Sequence, residues 1–165
     1  MAGEACHVVA SATQVGLTQA LGRSWGAAAS MTKKSLAALV LVAFAAFVVL
    51  SLVRGAPYLE TPLPGGLPLG NGLVALGLCA LAAAAVVLSG RGSTLRAASL
   101  FSLLAAVLWL PVSVILAGNS QLNFSGGRGS AWLALSVAVF AVTCFTLLWA
   151  LGAAALTKVR GAGAA

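Results

Sequence analysis

Four stretches of the chain, residues 35–53, 72–89, 97–117 and 131–156, run almost without a polar break. A helix rises about 1.5 Å per residue, so some twenty apolar residues match the roughly 30 Å hydrocarbon core of a bilayer. The pattern predicts an all-α integral membrane protein in which these stretches form four transmembrane helices in an up-down bundle. Ahead of them lies a mixed leader, residues 1–34, and behind them a short basic tail, residues 157–165. The leader is read as flexible or weakly helical: Leu17, Leu21 and Trp25 share a helical face, but Gly16, Gly22 and Gly26 weaken it. Met-Thr-Lys-Lys at Met31–Lys34 resembles the opening of a membrane protein and marks Met31 as an alternative start. A secretory signal is the rival for the first span, although that span is longer than the usual apolar region of about 7–15 residues and Arg54 interrupts the cleavage site.

The connectors are equally legible. Residues 54–71 carry Pro57, Pro62, Pro64 and Pro68 with Gly65, Gly66 and Gly70, which predicts an extended or turn-rich cap, not a helix. Residues 89–96 read Ser-Gly-Arg-Gly-Ser-Thr-Leu-Arg, a short basic link, and residues 118–130 form a second polar, glycine-rich loop. Within that loop Asn123-Phe124-Ser125 matches the glycosylation pattern of a secretory host. Inside the third span Pro111 removes a backbone donor and predicts a kink over residues 107–111.

Helices in lipid gain little from hydrophobicity when they associate, so close packing through small side chains decides which faces meet. Span two supplies such a face in Gly77, Ala80 and Ala84. Span four supplies another, because Ser136, Thr143 and Ala150 recur every seven residues, with Thr146 and Ala153 nearby. Gly77, Ala80, Ala84, Ser136, Thr143 and Ala150 are the candidate packing positions.

Charge sets orientation. Lys33, Lys34, Arg91, Arg96, Lys158 and Arg160, together with Arg23, fall on one side of the expected spans, against Arg54 and Arg128 on the other. The excess of Lys and Arg on cytoplasmic loops predicts that both termini are cytoplasmic. The compact form and the Ala, Gly and Leu bias point to a bacterial cytoplasmic (inner) membrane.

Composition removes most other functions. Of 165 residues 61% are hydrophobic and 7% charged, too few polar groups to cover a water-soluble fold. The net charge of +7 is scattered over the ends of apolar runs, so it gives no nucleic-acid face and suits lipid headgroups instead. Glu4 and Glu60 are the only acids, His7 is the only histidine, and the four apolar runs contain no ionisable acid or base of the kind that ion-coupled transporters use. Cys6, Cys79 and Cys144 form no paired-cysteine motif. No catalytic, cofactor or metal site is therefore expected. The chain reads as a non-catalytic accessory, assembly or scaffold subunit that packs against a membrane-protein partner, or against its own copies, through the small-residue faces of spans two and four. The alternative is a passive transporter or pore for a neutral or apolar solute, built around Pro111 and the hydroxyls of span four.

Overall fold

The computed structural model describes residues 33–124 and 126–162. The expectations for the leader, including the weak helix through Leu17, Leu21 and Trp25 and the start at Met31, lie outside the described residues. So do Glu4, Cys6 and His7.

Four helices account for most of the described chain: α1 (Lys33–Val53), α2 (Leu69–Leu88), α3 (Thr94–Ala117) and α4 (Gly127–Ala162). All four are long and apolar enough to cross a membrane. Among the described residues the only β-type pairing is an isolated bridge between Pro62 and Pro68.

The helix ends differ from the expected boundaries for local reasons. α2 starts three residues early, because Pro68 sits at its N-cap in an extended conformation that suits a helix entrance. α3 also starts early, since the Ser93 hydroxyl accepts the Arg96 amide at 3.1 Å and donates to the Gly90 carbonyl at 2.8 Å, an N-cap that closes the basic link. Arg96 is consequently a first-turn residue of α3. At the other end of the chain, helix continues through Thr157, Lys158 and Arg160 to Ala162. Lysine and arginine are good helix formers, and their charge suits a helix C-terminus, so the basic tail extends α4 instead of leaving it.

The proline-rich connector is turn-rich as expected, with a short 3-10 helix at Pro57–Glu60. Leu63 donates to the Leu67 carbonyl at 2.8 Å and Leu69 to the Thr61 carbonyl at 2.9 Å, which folds the segment back onto the start of α2. Gly70 permits this closeness: a Cβ there would stand 3.2 Å from the Leu59 carbonyl oxygen.

The helices pack with small residues inside and large ones outside. Ala82, Ala84, Ala85, Ala106 and Ala150 are fully buried, as are Ser99, Ser102, Ser113 and Thr143. Phe47, Phe101, Phe145 and Leu148 face outward. This inverts the pattern of a water-soluble bundle and is what lipid as the outer solvent requires. One cluster joins Ala38 of α1, Ala84 and Ala85 of α2, Leu95 of α3, and Leu147 and Ala150 of α4. A second joins Ala75, Leu78 and Ala82 of α2 with Ala106 and Trp109 of α3 and Val139 of α4. α2 is central, packing against each of the other three helices, whereas α1 packs chiefly against α2.

Candidate functional site

The seam between α3 and α4 gathers most of the polar side chains of the spans. Ser102 donates to the Thr143 hydroxyl at 3.1 Å, and Thr143 in turn donates to the Val139 carbonyl at 2.7 Å. Two turns further along α3, the Trp109 indole N–H donates to Ser136 Oγ at 2.9 Å. Residue numbers rise along α3 as their partners' numbers fall along α4.

Beyond this the pairing becomes reciprocal. The Trp132 indole donates to Ser113 Oγ at 3.0 Å. Ser113 donates to the Trp109 carbonyl at 2.6 Å, and Ser136 donates to the Trp132 carbonyl at 2.8 Å. Each helix thus carries a Trp-x-x-x-Ser step, Trp109 to Ser113 and Trp132 to Ser136, and each indole crosses to the serine of the other helix. Each serine uses its hydrogen on its own helix and its lone pair on the neighbour's indole, so the two indole N–H groups and the two hydroxyl hydrogens all have acceptors. The two indoles stand with centroids 6.4 Å apart, and Phe124 of the loop stacks on Trp132 at 4.7 Å. Such a clasp fixes both the spacing and the register of two helices.

The sequence foresaw Ser136 as a small packing residue but not its indole partner. The signal was present as two identical Trp-x-x-x-Ser spacings on either side of the 118–126 loop. Only the register of the seam turns them into one unit.

The other candidate positions take varied places. Gly77 lies against Val48 of α1, where an added Cβ would meet Val48 Cγ1 at 3.5 Å. Ala80 and Ala84 of α2 are buried, Thr143 and Ala150 of α4 are fully buried, and Ser136 is half-buried. These small faces are occupied within the chain itself. Thr146 is also buried and donates to the carbonyls of Val142 and Thr143. Pro111 stands on the exposed side of α3, and the helix runs through it without interruption. Its missing N–H deprives the Val107 carbonyl of its regular donor on a face turned away from the seam. Lys33, Lys34, Arg91, Lys158 and Arg160 are exposed and Arg96 is half-buried.

A second seam contact joins Ser89, at the end of α2, to Ser99 of α3, with oxygens 3.2 Å apart. Among the described residues no buried side-chain nitrogen or oxygen lacks a hydrogen-bond partner, and no group of His, Cys, Asp and Glu could hold a metal ion. Cys79 and Cys144 are free thiols on different helices. Compared with known proteins, the chain matches no family model, no curated protein and no solved structure.

Proposed function

We propose that this protein is a non-catalytic membrane subunit, a helical scaffold that assembles with membrane partners. In this reading the four helices alternate in direction across a bacterial inner membrane and both termini face the cytoplasm. Several features support the topology. The first cluster combines the beginning of α1, the end of α2, the beginning of α3 and the later half of α4, as alternation requires. Lys33, Arg91, Arg96 and Lys158 then belong to the same end, in keeping with the excess of basic residues on cytoplasmic segments.

The observation that carries the scaffold reading is the engagement of the seam hydroxyls. Ser102, Ser113, Ser136, Thr143 and Thr146 all donate within the fold. A pore would need these groups to exchange protein partners for solute or water, and a buried network of this kind resists that exchange. Because the small faces of α2 and α4 are buried within the chain, a partner helix would meet an outer apolar side instead, and we place it on α1, which packs chiefly against α2 alone. There Leu36, Leu39, Phe47 and Leu50 are all more than half exposed.

The test is purification of the full chain in mild detergent, followed by mass measurement of the intact assembly and flux assays in reconstituted vesicles. A reproducible stoichiometric partner whose cross-links map to Phe47 or Leu50 supports the scaffold. A homo-oligomer with a saturable solute flux that Ser136→Leu or Thr143→Leu abolishes contradicts it.

A further inference from the structure

We infer that the α3/α4 seam binds an anionic phospholipid of the surrounding bilayer, with the headgroup at Arg128 and an acyl chain in the groove below it. The inference needs only that the chain lies in a membrane and is independent of the scaffold role. Two separate features meet there. The first is an apolar groove of about 250 Å³ between the two helices, walled by Phe101, Ala105, Trp109 and Val112 on one side and Leu135 and Val139 on the other. A dry apolar cavity of about 150 Å³ already accepts a benzene ring, so this one has room for a segment of acyl chain. From Phe101 to Val112 the α3 wall extends about 16 Å along the helix, an elongated shape suited to a chain more than to a compact solute.

The second feature is the cation at its mouth. Arg128, Leu135 and Val139 are separated by seven and four residues and therefore lie on one face of α4, with Arg128 about 10 Å above Leu135. The Arg128 guanidinium leans across the seam toward the C-cap of α3, where a Cβ built on Gly118 would stand 3.8 Å from Nη1. Glu60 is the only acid among the described residues, and it forms no ion pair with Arg128. An exposed cation with no carboxylate partner among the described residues, above an apolar slot, matches the polarity profile of an anionic lipid: charged at the interface, apolar toward the bilayer centre. Trp109 helps to keep the groove in shape, since its bond to Ser136 pins one wall.

The test uses the delipidated full-length protein in detergent, titrated with phosphatidylglycerol or phosphatidylcholine and followed by native mass spectrometry. The expected result is one phosphatidylglycerol bound more tightly than the rest. Arg128→Gln should reduce the preference over phosphatidylcholine about five-fold, the effect of one basic side chain at an anionic surface. Ala105→Phe, which fills the groove, should weaken both lipids. Leu135→Trp serves the same purpose if the first variant does not fold, and helical circular dichroism reports folding in each case. Equal binding of the two lipids by the wild type would overturn the inference. So would a phosphatidylglycerol preference that survives Arg128→Gln but disappears in Lys33→Gln/Lys34→Gln, which would place the anionic lipid at the other end of the bundle.

Discussion

Replacing Ser136 with alanine leaves the Trp109 indole N–H without its acceptor, at a site where Trp109 is only 4% exposed. An unsatisfied donor in a dry interior costs about 1–3 kcal/mol. Interhelical hydrogen bonds in membrane proteins measure less in pairwise cycles, about 0.6 kcal/mol on average and about 1.7 at most. Because this indole has almost no access to water, Trp109→Phe combined with Ser136→Ala should give a coupling of about 1–1.7 kcal/mol. The phenyl ring keeps most of the packing, and the cycle cancels the separate loss of the bond from Ser136 to the Trp132 carbonyl. The mirror pair, Trp132→Phe with Ser113→Ala, should couple by about 0.5 kcal/mol or less, because the partly exposed Trp132 lies nearer the loop where water can replace the serine. Reversible unfolding in mixed micelles of increasing denaturing detergent supplies the free energies. A Trp109–Ser136 coupling within about 0.4 kcal/mol of zero, the scatter expected of independent sites, would refute the clasp as a source of stability.

The same unfolding assay separates positions that the sequence treats alike. Gly77→Ala should be neutral or stabilising by up to about 1 kcal/mol, because the added methyl meets Val48 at an ordinary contact distance and glycine is the poorer helix former; a loss above 1 kcal/mol would show that the helices meet there more closely. Ala84→Leu should cost about 1–3 kcal/mol, since the site is fully buried among side chains of all four helices. Gly118→Ala should cost about 1–2 kcal/mol from backbone strain alone, because Gly118 caps α3 with φ of 71° and the new Cβ meets no clash. Gly70→Ala should loosen the cap over α2, seen as faster hydrogen exchange of the Thr61 amide that donates to Tyr58; unchanged exchange would show that the Leu59 backbone yields without cost.

Much of the fold was legible because lipid simplifies the code. Apolar length alone marks a span, and the proline and glycine run at 54–71 marks a connector. The helix ends were less legible, since Ser93 and Pro68 read as loop residues until their roles as caps are seen. The basic tail likewise gives no apolar signal for the helix that continues through Lys158 and Arg160. Small-residue stripes told which faces of α2 and α4 are crowded, but not what crowds them, and the structure turns those faces inward to other helices of the same chain. The seam was the least legible part. Hydropathy counts Trp109 and Trp132 as bulk and Ser113 and Ser136 as breaks, and their exchange of hydrogen bonds depends on a register between helices that no single-helix pattern contains.

If the four helices cross the bilayer in alternation, the Arg91 link and the C-terminal turn of α4 lie on one side and the loops after α1 and α3 on the other. Single cysteines placed by Gly92→Cys, Ala162→Cys, Gly66→Cys and Gly126→Cys in a chain lacking Cys6, Cys79 and Cys144, labelled with a membrane-impermeant maleimide in sealed inside-out and right-side-out vesicles, test it directly. Positions 92 and 162 should label together from the cytoplasmic side and positions 66 and 126 together from the opposite side. Labelling of 92 and 162 from opposite sides, or of all four from one side, would contradict it.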